Sequence, residues 1–349
     1  MNTAGSEGHS KKNDKKMVKK QCATRCFLSF LITVLFAETI AVGQAWVPPK
    51  GEGEIAISYQ NLFTRDHFNG DGTRHDYGHI RLYDLVQEID YGVTDKFAVN
   101  VFFPYGIGKY QGPYPHQLPI DNGYYHGALQ DFHVGFRYNV VKRPLQFTPF
   151  LTFAFPSHHY QHFAHSAVGL DMWELQTGMT LGRSFAPVLP RGYFQLRYGY
   201  SIMQQVLGIR PNRSRMEGQL GYFLMRRLSV QALGVAQVTH SGLNFPQDFP
   251  DRSPTNARWT HHDQILAINF LNLGGGIGYA ITRNWQVYSS LLTSVWGQNG
   301  HALHTGFNVG MSWSFRTPWA RRQGELAMID EGPDLRNAKL TPPTQQPCH

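Results

Sequence analysis

From Phe307 to Phe315 the chain alternates without a break. Phe307, Val309, Met311, Trp313 and Phe315 are apolar, whereas Asn308, Gly310, Ser312 and Ser314 are small or polar. A period of two belongs to a strand and sends the two sets to opposite faces. One face suits lipid and the other suits water. A soluble sheet can carry such a strand once. Here the pattern recurs about a dozen times, which is the signature of a transmembrane β-barrel.

Alternation bounded by turn residues predicts about twelve strands, at 52–64, 79–92, 96–107, 129–141, 146–156, 171–184, 192–204, 214–225, 228–240, 263–281, 285–297 and 303–315. An even count places both ends of the barrel chain on one side. Short turns at 93–96, 142–144, 225–227 and 282–284 alternate with long segments at 65–78, 108–128, 157–170, 205–213 and 241–262. Short periplasmic turns and long external loops are the asymmetry of an outer-membrane barrel. The faces sort consistently. The fourth strand sends Phe132, Val134, Phe136 and Tyr138 outward, and Asp131, His133, Gly135 and Arg137 inward. The sixth sends Trp173, Leu175 and Met179 outward, with Glu174 and Gln176 inward. A soluble β-sandwich would alternate too. Its strands average about 5–6 residues, whereas these are of the length that a tilted membrane span requires.

The first 45 residues follow another rule. Six lysines and Arg25 precede the apolar run from Phe27 to Ala37, and small residues follow at Gly43 and Ala45. This predicts a secretory signal peptide ending at Ala45, with Met17 offering a more ordinary start. The rest of the chain keeps 25 of the 32 basic and 21 of the 24 acidic residues, so the net charge of +8 falls to +4. No nucleic-acid patch remains. Cys22 and Cys26 leave with the signal and Cys348 stands alone, so no disulfide framework is expected. Residues 316–349 lose the alternation and are expected to form a polar tail.

The end strand resembles the signal that bacterial barrels present to the barrel assembly machinery: a polar residue, a glycine, then two apolar residues, the last aromatic. Asn308, Gly310, Trp313 and Phe315 occupy it in order, although that aromatic normally ends the chain and here 34 residues follow. More broadly, residues 46–315 resemble the outer-membrane family labelled "meta-pathway of phenol degradation". The resembling features are the Gly51-Glu-Gly-Glu-Ile-Ala strand, the turn Tyr91-Gly-Val-Thr-Asp-Lys-Phe-Ala-Val leading to Phe103-Pro104-Tyr105, and the end strand. The resemblance implies a bacterial outer-membrane barrel that passes small solutes, with aromatic compounds as the solute class. It implies no catalytic residues and no cofactor.

Alternation places Glu54, Asp84, Glu88, Asp90, Asp131, Arg137, Glu174, Arg197 and Glu217 in the lumen. Such charges either knit a structural network or line a polar conduit, which with this acidic excess should prefer cations. Fourteen of the 17 histidines fall in or beside the predicted external loops, most densely at His158, His159, His162 and His165. Neutral imidazoles ligate zinc and copper. The alternative to a solute channel is therefore a non-conducting barrel whose loops bind metal or a surface partner. An enzyme is not expected. His165–Ser166 and His240–Ser241 are sequence neighbours that a strand would send to opposite faces, and no HExxH or nucleotide-loop motif is present.

Overall fold

A computed structural model describes residues 45–320. The predicted signal peptide up to residue 44, and the tail from 321 onward, lie outside the described residues. Twelve long strands succeed one another: β1 (Glu52–Phe68), β2 (His79–Gly92), β3 (Phe97–Gln111), β4 (Asp131–Tyr138), β5 (Gln146–Pro156), β6 (Glu174–Ser184), β7 (Gly192–Met203), β8 (Arg213–Phe223), β9 (Leu228–Thr239), β10 (Asn269–Ala280), β11 (Trp285–Gln298) and β12 (Gly300–Arg316). Each pairs antiparallel with its neighbours in the chain, and β12 returns to β1, with Glu52 opposite Arg316 and Phe68 opposite Gly300. The closure leaves the twelve-stranded wall without a free edge strand, and its ladders pair backbone groups as hydrocarbon demands. Above Leu292, where the β11–β12 ladder ends, Thr293 Oγ1 donates to the His304 carbonyl at 3.0 Å and Ser294 Oγ accepts from the Leu303 N–H at 3.0 Å. Among the described residues no helix is long and apolar enough to cross a membrane.

The wall keeps the predicted polarity. Ile57, Tyr59, Met179, Leu220, Val309 and Met311 are exposed on the outside, while Ser58, Thr180, Gln219, Asn308 and Ser312 are buried within. A contiguous apolar exterior is an aggregation liability in water and a solvation shell in lipid. The protein is an all-β transmembrane barrel of the bacterial outer membrane.

Two of the periplasmic turns, at 93–96 and 282–284, share one chemistry. Thr94 Oγ1 accepts from the backbone N–H groups of Lys96 and Phe97 at 3.2 and 3.0 Å. Thr282 Oγ1 accepts from Asn284 and Trp285 at 3.2 and 3.1 Å. A short side chain that folds back on its own backbone turns the chain tightly. Just above lies an aromatic belt, with Tyr91 on Phe315 at 6.4 Å and Trp285 on Trp313 at 6.1 Å between ring centroids. Its position suits the membrane interface.

Two strands depart from prediction. The fourth is broken: His126–Leu129 pairs with the top of β3, and Gln130 then turns inward before β4 begins. Its Nε2 donates to Asp84 Oδ1 at 2.7 Å and to the Val168 carbonyl at 2.8 Å. The tenth starts at Asn269 rather than 263, because residues 257–265 coil into two helical turns. Asn256 caps the first by accepting from the Arg258 N–H at 3.0 Å. Those turns belong to a cap. Phe163, Phe249, Trp259, Ile265 and Leu266 pack into a small apolar core over the outer mouth, so the long loops are folded structure.

At the opposite end the chain enters the barrel. Ala45 is fully buried; its N–H donates to Gln195 Oε1 at 3.0 Å and its carbonyl accepts from Thr148 Oγ1 at 2.6 Å. Ala45, the residue predicted to end the signal peptide, is thus packed at the periplasmic floor, a placement that cleavage after it would remove.

Candidate functional site

The predicted lumen residues share the inner face. Glu54, Glu88, Asp131, Glu174, Arg197 and Glu217 line a central cavity of about 580 Å³. Asp84 accepts from Gln130 beside it, and Asp90 pairs with Arg137 near the periplasmic floor, Nη2 to Oδ1 at 2.6 Å. Two basic groups escaped the sequence reading. Arg213 makes a very short contact with Glu174, and Arg215 Nε donates to Glu217 Oε1 at 2.7 Å. Both start β8, at the boundary where alternation is hardest to read. Arg197 donates to Gln176 Oε1 at 2.6 Å and lies 3.9 Å over the Phe150 ring. Of the seven predicted lumen acids, Asp90, Glu174 and Glu217 are thus ion-paired within the barrel.

Above lies a second cavity of about 830 Å³ of different character. Leu62, Ile80, Leu82, Leu170 and Ile268 provide aliphatic wall, and Tyr77, Tyr114, Phe245 and Trp259 provide aromatic surface. Leu62, Leu170 and Leu303 line both cavities, so the boundary between them is leucine.

One side of this outer cavity is histidine. His67 and His301 face each other across the β1–β12 seam, their ring centroids 4.5 Å apart. His165 approaches His67 at 5.4 Å and stacks on His116 at 3.6 Å, and His116 meets His262 at 4.7 Å. The inward position of the seam pair depends on a β-bulge. The register slips between Phe63 and Asp66, so Thr64 opposes Leu303 and His67 opposes His301. Below the slip the even residues of β1, such as Ser58 and Gln60, face the lumen; above it odd-numbered His67 does. A bulge resets the parity of a strand.

Asp121 holds the cap loops in place. Its buried carboxylate accepts from the N–H groups of His116 at 2.9 Å, His165 at 3.0 Å and Ser166 at 3.0 Å, and from Ser166 Oγ at 2.9 Å. Gln264 Nε2 donates to the Leu170 carbonyl at 2.6 Å and ties in the helical segment. Burial, then the neighbouring His301, pushes the His165 imidazole down to about 4. Burial, then His165, holds His116 well below the ordinary histidine range. Both rings are neutral at physiological pH.

The His-rich tract divides. His158 contacts Ser157 Oγ at 2.9 Å, and His159 is almost fully exposed beside Asp171. His162 stacks on His261 at 5.0 Å at the cavity edge. Only His165 joins His67 and His301. Those two partners, with His116 and His262, come from distant segments, and no spacing in the sequence marks them as a group.

No protein-family model and no characterised protein sequence matches the chain. Solved structures do. An outer membrane channel from Pseudomonas putida F1 superposes with a TM-score of 0.62 at 11% identity, covering 79% of this chain and all of that one. The NanC porin reaches 0.43 at 12% identity over 75% and 98%. The translocator domain of the autotransporter NalP from Neisseria meningitidis reaches 0.42 at 11% identity over 86% and 97%. At these identities the first likeness concerns the fold: this chain is similar to an outer-membrane channel in its barrel.

Proposed function

We propose that the barrel passes small apolar or aromatic solutes across the outer membrane. The observation that carries this reading is the outer cavity. Its volume is that of a small-molecule site, its walls away from the histidine side are largely leucine, isoleucine and aromatic rings, and its inner boundary of Leu62, Leu170 and Leu303 meets the polar lumen. An apolar solute gains by leaving water for such walls at about 25 cal/mol per Å². The polar cavity beneath favours its release. The resemblance to the phenol meta-pathway family points to the same solute class.

The test is uptake of a radiolabelled monocyclic aromatic by cells with an intact lipopolysaccharide barrier. Expression of the protein is expected to raise uptake. Leu303→Trp, which fills the leucine boundary, is expected to remove most of the increment at an unchanged level of folded barrel. An equal gain for a hydrophilic solute of the same size would show an unselective pore and overturn the apolar assignment.

We also propose Asn308, Gly310, Trp313 and Phe315 as the signal read by the barrel assembly machinery. Trp313→Ala combined with Phe315→Ala should markedly reduce insertion, seen as loss of the heat-modifiable band, while deletion of 321–349 should not. The reverse result would remove residue 315 as the effective end of the barrel.

A further inference from the structure

We propose that His67 and His301, together with His165 from the cap, bind a borderline divalent transition-metal ion of the Zn²⁺ class at the outer mouth. The ligand atoms of the three lie within 4.8 Å of one another. With Zn–N bonds of 2.0–2.1 Å, nitrogens at the corners of a tetrahedron lie about 3.3 Å apart, a separation within reach of small ring rotations. Three imidazoles leave a fourth position open, as in sites that keep a water or an exchangeable ligand.

The hydrogen bonding favours this over mere packing. A carbonyl oxygen only accepts, so the 3.0 Å contact between His165 Nε2 and the Tyr114 carbonyl places the proton on Nε2. The lone pair is then on Nδ1, which is buried without a hydrogen-bonding partner among the described residues. A ring anchored through one nitrogen to a carbonyl while the other stays bare is the usual arrangement of a ligating histidine. His67 goes further: it is buried, and neither of its ring nitrogens has such a partner. A packing role would leave these atoms desolvated with nothing in return. His301 is the exposed member, open to an arriving ion.

The site also has a mechanical meaning. His67 and His301 belong to the strands that close the barrel, and His165 belongs to the cap that Asp121 organises. An ion here staples the cap to the seam. The site stands independently of the transport reading, because binding is measured without any solute.

A neighbouring group, His116, His262 and Asp263, offers a competing residence. His262 Nδ1 contacts the Trp259 carbonyl at 2.9 Å, leaving Nε2 opposite Asp263 Oδ1 at 3.2 Å. It has two imidazoles and a carboxylate in place of three imidazoles.

The experiment is calorimetric titration of ZnCl₂ into untagged, folded full-length barrel in detergent at pH 7.5, repeated with Co²⁺ and read by its visible absorption. Expected are saturable binding of one ion at the three-histidine site and an intense tetrahedral Co²⁺ band. His67→Gln and His301→Gln should each weaken binding by more than about tenfold, the lower end of the loss seen when even an outer-sphere partner is removed. His158→Gln/His159→Gln should match wild type. Heat-modifiability confirms that every variant is folded, and the affinity comparison is drawn among folded variants. Absence of saturable heat and of the Co²⁺ band in wild type would overturn the site. So would binding that survives both seam substitutions and disappears in His262→Gln/Asp263→Asn.

Discussion

Asp90→Ala is expected to destabilise the barrel by about 3–5 kcal/mol, the cost of removing one partner of a buried ion pair. Arg137 is only 7% exposed in its side chain and Asp90 only 2%. The guanidinium contacts both carboxylate oxygens, at 2.6 and 2.5 Å, and reaches the Trp46 carbonyl at 3.2 Å. Arginine does not shed its proton to escape burial. Loss of the carboxylate therefore strands a charge, whereas Asp90→Leu combined with Arg137→Met removes both charges and should recover most of the stability. Urea unfolding of the detergent-folded barrel, followed by heat-modifiability on gels, measures this. A single variant within about 1 kcal/mol of wild type would mean that water relieves the site.

Val309→Arg should cost about 2–4 kcal/mol, the penalty for a cation on the lipid face near the bilayer midplane. Val309 is 42% exposed on the outer wall in the middle of β12 and pairs with Tyr59. The matched control is Gln60→Arg. Gln60 lies one position further along the same seam, opposite Asn308, and lines the central cavity. At the same depth, one arginine meets hydrocarbon and the other meets a polar interior. The yield of heat-modifiable, membrane-inserted barrel should fall sharply for Val309→Arg and little for Gln60→Arg. Equal yields would show that the two faces are wrongly assigned.

The pair also shows why the wall was legible in the chain. A residue's face follows from its parity as long as the ladder is regular, so Phe307 to Phe315 declares its own orientation. Two of the turns declare themselves through Thr94 and Thr282, whose side chains act within three residues. Local rules of this kind carried the strand count, the side on which the turns lie and most of the lumen residues. They failed wherever the ladder is irregular. Gln130 reads as a strand residue and is instead a break held by Asp84, distant in sequence. Residues 263–268 read as strand, yet the segment leading into β10 coils and packs Ile265 and Leu266 into the cap core.

The candidate sites mark the same boundary. Alternation placed Glu54, Glu88, Glu174 and Glu217 inside because each sits in a regular stretch of its strand. It had no means to match Glu174 with Arg213, which comes from the start of β8. The histidines were visible as a loop-rich population, and the dense tract from His158 to His165 drew attention through spacing alone. Spacing was the wrong guide to convergence. His67 turns inward because a bulge shifts the register between Phe63 and Asp66, and His301 meets it because β12 closes on β1. His165 arrives through a carboxylate 44 residues earlier in the chain. The sequence by itself determined a lipid-facing wall, since the solvent on each side of a strand selects residue by residue. The tertiary structure decided which histidines and which leucines share a cavity. Closure, bulges and loop docking bring together residues that no local period connects.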